Sequence, residues 1–279
     1  MSISGESRRD SWGEDDNAVR YDAFARLYPM YRQTSRDLVM LAGPSADAVV
    51  VDLACGTGTT TAEILSVLGP DGKVIGADKS PAMLAVAARS VPDRRVRWIE
   101  AAAENIDHHL VEPVDAVVCN SAIWQTDVAA TAAAVRDVLA NEGRFVFNVG
   151  SGFLEECEDP NYLGGRAGVM QAIAAQEYGW KPPSPGAPLR RRPRLTRESV
   201  RRCLGDAGFE VERVEEFSYE ESAEAGRAWL SVPVFTTMYL PGMPYADRMR
   251  VLEKAYEHLG SGETGMSRWV GFAARALPR

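Results

Sequence analysis

A glycine-containing turn and a downstream aspartate are the residues whose types and spacing best suit chemistry. Gly56 and Gly58 follow the β-branched run at 49–51, which is typical of a buried parallel strand. Glycine allows a sharp turn there and lets backbone N–H groups approach a ligand. Asp78 lies after a second apolar run, where its two oxygens could accept both hydroxyls of a ribose. The pattern predicts a nucleoside-containing ligand, and the alternative is a tight turn followed by a solvated aspartate.

A glycine that the turn lacks helps to decide which kind of nucleoside-containing ligand it binds. A dinucleotide-binding turn has a third glycine, which would fall at Thr61. A pyrophosphate needs a close and unobstructed helix N-terminus, whereas an adenosine ligand without phosphate does not. The sequence therefore favours a ligand with adenosine and no phosphate, of which S-adenosylmethionine is one, and a nicotinamide oxidoreductase is the weaker alternative.

Apolar runs alternate with amphipathic stretches between residues 45 and 150, which is the rhythm of βαβ units. Ser80 with Pro81, and later Thr196, are typical helix N-cap sequences. Residues 218–262 should be largely helical. The predicted strands are 49–51, 74–77, 96–99, 114–118, 145–147, 209–214 and 269–274.

Several short segments of the sequence together resemble those of a known protein family. They are DLACGTG at 52–58, GADKSPAM at 76–83, AEN at 103–105, DAVVCN at 115–120, GRFV at 143–146, and a helix–strand pair at 195–211. The chain resembles class I S-adenosylmethionine-dependent methyltransferases over residues 17–276, with divergent inserts. The resemblance implies an α/β fold: a Rossmann-like, seven-stranded, mostly parallel sheet with helices on both faces, an N-terminal helical cap, and helical inserts that form a substrate lid.

The resemblance also implies a binding site for the cofactor S-adenosylmethionine. The glycine turn would line the methionine part, the acid after the second strand would bind the ribose, and residues after the third and fourth strands would meet the adenine and the amino-acid end. The implied residues are Tyr21, Asp52, Ala54, Cys55, Gly56, Gly58, Asp78, Lys79, Met83, Ala103, Glu104, Asn120 and Ser121.

One position departs from the family pattern. The family often has an aspartate before the Ala-Glu pair, and this chain has Ala102 there. Adenine recognition would then fall to the Ala103 backbone or to Glu104. An exposed glutamate that opens a helix is the alternative interpretation of Glu104.

Methyl transfer needs no dedicated base, because positioning a nucleophile against the methyl carbon can supply much of the acceleration. The catalytic residues are therefore unknown at this point. His108 and His109 are expected at the surface, and His258 is the candidate base. The sequence has no H-E-x-x-H helix or other metal-ligand spacing, so no metal is expected.

Substrate contacts are expected outside the segments that the fold requires. Tyr21, Phe24, Leu27, Tyr28 and Tyr31 recur at helical spacing, which predicts an aromatic stripe on one side of a helix. This stripe either packs in the core or covers a ligand-binding mouth. The aromatic residues of the segment 218–262 either line a pocket, pack in the core or form a dimer contact. The candidate substrate-binding residues are Tyr28, Trp124, Trp229, Phe235 and Tyr239.

We expect a single methyltransferase domain over residues 1–279, with the surplus length in inserts. Its parts are an N-terminal helical cap (17–44), a cofactor-binding core (45–150), an insert or linker (152–195), a late helix and strands of the core (196–217 and 268–276), and a lid insert (218–262). Five prolines and five basic residues at 181–195 indicate a connector. Its basic run at 190–192 is either solvated or a contact for an anionic substrate group.

Charge and composition exclude several classes. The net charge of −8 argues against a surface that tracks nucleic-acid phosphates. The four cysteines form no C-x-x-C pair. The polar N-terminal segment has no apolar core of a signal peptide, and prolines interrupt the uncharged stretch at 228–246. We expect a cytoplasmic protein with neither nucleic-acid nor membrane partners, which could form a homodimer.

The leading functional hypothesis is methyl transfer from S-adenosylmethionine to a small organic molecule, in specialised (natural-product) biosynthesis. O-, N- and C-methylation remain open. One alternative is an S-adenosylmethionine-binding enzyme that catalyses a non-methylating cyclisation or rearrangement. Another is a non-catalytic cofactor-binding module.

Overall fold

The structure is a computed structural model and describes residues 15–155, 165–182, 195–259 and 265–279. The strands in this part of the chain are β1 Val49–Leu53, β2 Lys73–Asp78, β3 Val96–Glu100, β4 Val114–Cys119, β5 Leu139–Gly150, β6 Phe209–Glu221 and β7 Gly265–Ala276. The α-helices are α1 Asp15–Leu27, α2 Met30–Ala42, α3 Thr59–Val67, α4 Pro81–Ser90, α5 Val128–Val138, α6 Arg166–Tyr178, α7 Arg197–Asp206, α8 Ala223–Ser231, α9 Pro233–Tyr239 and α10 Tyr245–Leu259. Short 3-10 helices cover Ala103–His109, Ile123–Gln125 and Ser151–Phe153.

The seven strands form one sheet in the order β3-β2-β1-β4-β5-β7-β6. Strands β1 to β5 pair in parallel, and β7 pairs antiparallel with both β5 and β6. This arrangement confirms the predicted seven-stranded, mostly parallel sheet. Because the carboxyl ends of β1, β2 and β4 lie at one edge, the segments after them meet there, as in other open α/β sheets.

Helices cover both faces of the sheet. Alternate residues of β1 point to opposite sides, so Val51 joins the core beneath α5 and α7, and Val50 joins the core beneath α2 and α3. Both side chains are fully buried. Apolar residues on both faces of β1 therefore explain the unbroken β-branched run in its sequence.

The helix starts predicted from local sequence are confirmed. The Ser80 hydroxyl accepts the Met83 N–H at 3.3 Å, and Pro81 opens α4. Thr196 caps α7 by accepting the Ser199 N–H at 2.9 Å, and the Ser199 hydroxyl accepts the Thr196 N–H in return. These bonds satisfy backbone donors that a helix leaves free at its start.

The predicted single aromatic helix is wrong. Leu27 ends α1 and Met30 begins α2, because Pro29 has no N–H to continue the first helix. The break separates the aromatic residues between two helices, and Leu27 is 75% exposed. The N-terminal helical cap is therefore a pair of helices.

The predicted lid begins four residues too early. Residues 218–221 continue β6 to Glu221, and helices start only at Ala223. Strand β5 pairs with β7 from Trp269 onward, so residues 265–268 of β7 pair with β6 alone. We call residues 218–221 and 265–268 the β6–β7 extension, since they project as two strands beyond the pairing with β5.

Helices α8 to α10 pack on this extension and on the N-terminal pair of helices. Their apolar residues form one cluster with Phe24, Tyr31, Met170 and Trp269. The stretch 228–246 is divided between α8, α9 and the start of α10, with Pro233 opening α9. In the part of the chain that the structure describes, no helix is long and apolar enough to cross a membrane.

Only part of the predicted insert at 152–195 is described, and it contains α6. The basic run at 190–192 lies outside the described residues. Cys55, Cys119 and Cys203 are free thiols, whereas Cys157 is also outside the described residues.

Candidate functional site

The glycine turn lies at the carboxyl end of β1, where its backbone adopts left-handed conformations. Ala54, Gly56 and Gly58 have φ of 56°, 54° and 90°. The turn is closed by the Gly58 N–H, which donates to the Cys55 carbonyl at 3.0 Å, and the Cys55 N–H donates to Ala77 of β2 at 2.9 Å. Only glycine adopts this region without strain, which explains the two glycines of the motif.

Asp78, at the end of β2, is bonded to this turn. Its Oδ2 accepts the Gly56 N–H and its Oδ1 accepts the Ser80 N–H, each at 2.9 Å. The side chain is 8% exposed and lines a cavity. Each carboxylate oxygen has two acceptor sites, so hydroxyl groups of a ligand can still be bound after these backbone bonds.

Asp52 lies behind the turn and does not line the cavity. Its Oδ2 accepts the Thr61 hydroxyl at 2.6 Å, which ties β1 to the first turn of α3. Burial raises the pKa of Asp52 to about 7; the Thr61 bond opposes this and the neighbouring charge of Asp78 adds to it. This contact fits the loop-ordering role that the family resemblance implies.

A buried polar network holds the end of β4. The Asn148 amide, which is fully buried on β5, donates to Asn120 Oδ1 at 2.8 Å, and Asn148 Oδ1 accepts the Ser121 N–H at 2.6 Å. The Asn120 amide donates to the hydroxyls of Thr34 and Ser35 on α2, at 3.1 and 2.9 Å. Ser121, at φ 60°, is thus kept in a left-handed conformation at the cavity wall.

Two tyrosines of the N-terminal helices reach the same cavity. Tyr21 of α1 and Tyr31 of α2 have ring centroids 5.2 Å apart. Burial raises the pKa of Tyr31 to about 12, although its hydrogen bonds with Trp229, Ser121 and Tyr21 lower it. Burial also raises the pKa of Tyr21, so both phenols stay neutral at ordinary pH.

The cavity has two parts, which we name by their residues. The glycine-turn half contains Ala54, Gly56, Asp78, Lys79, Met83, Ala101, Ala103 and Glu104. The aromatic half contains Met30, Trp124, Phe153, Glu221, Trp229, Phe235, Ser267 and Trp269. The two halves line one continuous cavity that is open to solvent.

Stacked rings form the walls of the aromatic half. Trp124 stacks on Phe153 with 3.8 Å between ring centroids, and Trp229 stacks on Phe235 with 3.9 Å. The Trp229 Nε1–H donates to the Tyr31 hydroxyl at 3.0 Å, which joins α8 to α2. These rings come from the 3-10 helices after β4 and β5 and from α8 and α9, so four separate segments close this half.

Most residues proposed from sequence meet in this cavity. Those that line it are Tyr21, Ala54, Gly56, Asp78, Lys79, Met83, Ala103, Glu104, Asn120, Ser121, Trp124, Trp229 and Phe235. Asp52, Cys55 and Gly58 shape the turn from behind and are not lining residues. Glu104 has a further contact, since its Oε1 accepts the Asp127 N–H at 2.9 Å at the start of α5.

Three proposed residues lie elsewhere. The Tyr28 hydroxyl donates a hydrogen bond to Glu224 at 3.2 Å. Tyr239 packs against the apolar cluster that helices α8 to α10 form with the N-terminal helices. Neither residue lines the cavity. His258 is exposed near the end of α10, with Nδ1 2.9 Å from the Lys254 carbonyl. The structure therefore gives no support to His258 as a base. The described residues contain no cluster of side chains suited to hold a metal ion.

Sequence reasoning missed several residues of the site. Tyr31 and Trp269 had been assigned only to a stripe and to a strand, and Asn148, Phe153, Glu221 and Ser267 were not singled out. The signal available for these two residues is position, since Trp269 begins the predicted strand 269–274 and Asn148 directly follows the predicted strand 145–147. Glu221 carried no such signal, because its segment had been assigned to a helix.

The chain has relatives among known proteins. A model described as a methyltransferase domain matches residues 50–143. A ubiquinone/menaquinone biosynthesis C-methyltransferase of Hahella chejuensis is 33% identical over 32% of this chain and 39% of its own. A trans-aconitate 2-methyltransferase of Klebsiella pneumoniae is 36% identical over 28% of this chain and 29% of its own. The matches thus span about a third of these relatives' lengths.

A solved structure shares the fold over a longer stretch. The geranyl diphosphate C-methyltransferase of Streptomyces coelicolor, in complex with Mg²⁺, geranyl-S-thiolodiphosphate and S-adenosyl-L-homocysteine, has a TM-score of 0.51 and 16% identity. The similarity covers 87% of this chain and 75% of that one. The sequence match at the glycine turn and the shared fold together agree with the cavity geometry. Residues 50–143 thus match a methyltransferase domain in sequence, and the fold of the chain is similar to that of a solved S-adenosylmethionine-type methyltransferase.

Proposed function

We propose that this protein transfers the methyl group of S-adenosylmethionine to a small organic acceptor in specialised (natural-product) biosynthesis. The single observation that carries the proposal is the continuity of the cavity from Asp78 to Trp269. The glycine-turn half, which would bind the nucleoside, and the aromatic half open into each other. Methyl transfer requires this because the cofactor and the acceptor must meet. The names of the two relatives above, one acting on trans-aconitate, agree with a small acceptor.

The residues present suit this cofactor. Gly56 offers a surface without a side chain, since a Cβ there would lie 3.7 Å from Tyr21 Cε1 and would occupy the cavity wall. Asp78 provides acceptors for ribose hydroxyls, and Lys79 and Met83 line the wall beside it. Tyr21 covers the turn from α1. These residues would hold the cofactor, which supplies an electrophilic methyl carbon.

The chain's contribution to the reaction is positioning and exclusion of water. The Trp124–Phe153 and Trp229–Phe235 stacks close the aromatic half, and the Tyr31–Trp229 hydrogen bond joins its walls. A dry, preorganised site strengthens electrostatic interactions and holds the nucleophile at near-attack distance. A neutral or cationic small acceptor also agrees with the net charge of −8, which disfavours nucleic acid.

The experiment is a screen without a preset acceptor. The protein is incubated with methyl-labelled S-adenosylmethionine and a small-molecule extract of the cells that produce it, and labelled products are found by mass spectrometry. We expect one compound to gain a methyl group in step with S-adenosylhomocysteine formation, and Asp78→Ala to reduce both. Conversion with no gain of mass and no S-adenosylhomocysteine would favour the cyclisation or rearrangement. Binding of the cofactor with no conversion of any compound would favour the binding module.

A further inference from the structure

The aromatic half of the cavity contains a carboxylate. Glu221 is the last residue of β6 and lines the cavity together with Trp229, Phe235 and Trp269. The other charged lining residues that the structure describes are Asp78, Lys79 and Glu104, which belong to the glycine-turn half. Strands β2 and β6 are separated by four strands in the sheet, so Glu221 is remote from that group.

Two further polar side chains, Arg166 and Tyr256, lie close to Glu221 beside Gly226 of α8. A Cβ built on Gly226 of α8 would lie 2.8 Å from Arg166 Nη1, 3.0 Å from the Tyr256 hydroxyl and 3.1 Å from Glu221 Oε1. These three groups therefore converge on one glycine, which leaves room for them. Arg166 is buried over the Tyr256 ring, 5.1 Å from its centroid, and the buried Tyr256 hydroxyl has no hydrogen-bond partner in the described residues.

Glu221 is half-buried, so its carboxylate is partly removed from water. Burial raises its pKa, and the charge of Arg166 opposes this and favours the ionised form. A buried carboxylate is stabilised when a cation pairs with it. Aromatic faces also attract cations, and five aromatic residues line the same half of the cavity.

We propose that Glu221 binds the protonated amino group of an amine acceptor and takes its proton. An ammonium group satisfies both features of this half, because it donates charge-assisted hydrogen bonds to a carboxylate and is attracted by ring faces. The inference rests on the proposed function and names its substrate class. It assigns the strand end of β6, rather than a histidine, as the site of proton transfer.

The proposed step balances as follows for an amine R₂NH₂⁺. The ammonium proton passes to the Glu221 carboxylate, which leaves a lone pair on nitrogen. That pair forms the bond to the methyl carbon as the carbon–sulfur bond breaks, and the electrons of the broken bond remain on sulfur. The product is a methylated ammonium ion and a neutral thioether, and the Glu221 carboxylic acid returns its proton to water when the product leaves.

The test measures binding, so that it does not depend on finding the natural acceptor. Tryptophan fluorescence of the protein saturated with S-adenosylhomocysteine is titrated with 2-phenylethylamine, 2-phenylethanol and 3-phenylpropanoate. Trp124, Trp229 and Trp269 line the cavity and report on its occupancy. We expect the amine to bind at least about tenfold more tightly than the alcohol, which corresponds to about 1.4 kcal/mol, and the carboxylate to bind more weakly still.

The variants assign the preference to one side chain. Glu221→Gln should abolish the preference for the amine and keep affinity for S-adenosylhomocysteine. The control is Glu220→Gln, which removes the same charge from the adjacent, exposed residue of β6 and should keep the preference. If Glu221→Gln does not fold, Glu221→Asp withdraws the carboxylate by one methylene and should reduce the preference.

Three outcomes would overturn the inference: no preference in the wild type, no binding of any of the three probes, or a preference that persists in the Glu221 variants. The failure of the proposed function would look different. In that case the wild-type protein would not bind S-adenosylmethionine or S-adenosylhomocysteine in a calorimetric titration, or would methylate no compound in the labelled screen.

Discussion

The Asp78 carboxylate accepts the Gly56 N–H at 2.9 Å and thereby joins the end of β2 to the turn after β1. The residue proposed to bind the ribose therefore also fixes the backbone that is proposed to face the methionine part of the cofactor. A change at Asp78 affects both contacts, whereas the rest of the turn is held by bonds that do not involve it, such as the one from Gly58 to Cys55.

Asp78→Ala should weaken S-adenosylmethionine binding by about tenfold or more, because hydrogen bonds to a charged group contribute about 1.5–3 kcal/mol each. Isothermal titration calorimetry measures the change. Asp115→Ala is the matched control, since Asp115 accepts the Val49 N–H at 2.7 Å at the opposite end of β1. Its affinity should stay at the wild-type value. An unchanged Kd in Asp78→Ala would refute the ribose assignment.

Gly56→Ala should lower cofactor affinity while the protein still folds. The new methyl group would lie in ordinary van der Waals contact with Tyr21, at 3.7 Å, on the cavity wall, although φ of 54° adds strain of about 1–2 kcal/mol. Gly43→Ala is the control, because Gly43 has φ of 55° at the end of α2, outside the cavity. Thermal unfolding should show similar destabilisation in the two variants, and only Gly56→Ala should change the Kd. Equal affinities would show that the turn does not contact the cofactor.

Asn148→Ala should destabilise the fold and weaken cofactor binding together. It leaves the Ser121 N–H and Asn120 Oδ1 without their partner, and an unsatisfied buried group costs about 1–3 kcal/mol. Urea unfolding measures the first effect and calorimetry the second. Asn141→Ala, at an exposed position of the same strand, should alter neither. If cofactor affinity were unaffected in Asn148→Ala, the network would have a purely structural role.

The free energy of unfolding should fall as the pH rises through the range set by Asp52. The folded-state pKa of Asp52 is about 7, above its ordinary 3.8, so the folded state binds more protons than the unfolded state between these values. The stability that protonated Asp52 contributes is present below pH 3.8 and is lost toward pH 7, by at most about 1.4 kcal/mol per pH unit.

Asp52→Asn should flatten this dependence, because the asparagine oxygen can still accept the Thr61 hydroxyl but the side chain cannot titrate. Urea unfolding of the ligand-free protein at a series of pH values tests the prediction. Asp71→Asn, at an exposed position in the loop before β2, should leave the profile parallel to the wild type. A parallel profile in Asp52→Asn would contradict the assignment.

The features that the sequence predicted correctly are those encoded by neighbouring residues. Ser80 followed by Pro81 specifies a helix start, and the cap bond to Met83 forms within four residues. The apolar runs define the strands, and parallel pairing then brings Asp78 and Asn120 to one edge of the sheet. Pro29 shows that a local signal can be overlooked, since helical spacing continued across a residue that ends a helix.

Contacts between distant segments explain what the sequence could not show. Glu104 was expected at the adenine edge, yet its carboxylate also accepts the Asp127 N–H, 23 residues away. Asn148 looks like any strand residue until Ser121 and Asn120 are placed beside it. Glu221 enters the cavity because β6 outlasts β5 at this edge, and strand length of this kind depends on pairing with β7 rather than on the pattern of residues.

The β6–β7 extension has an evolutionary consequence. Residues 265–268 of β7 pair with β6 alone. Substitutions among them therefore change Ser267 or the surroundings of Glu221 and leave the pairing of β1 with β2 intact. Under the proposed function, acceptor choice and cofactor affinity therefore depend on separate segments of the chain. Substitutions at this edge of the sheet would then change the acceptor and leave the glycine turn intact.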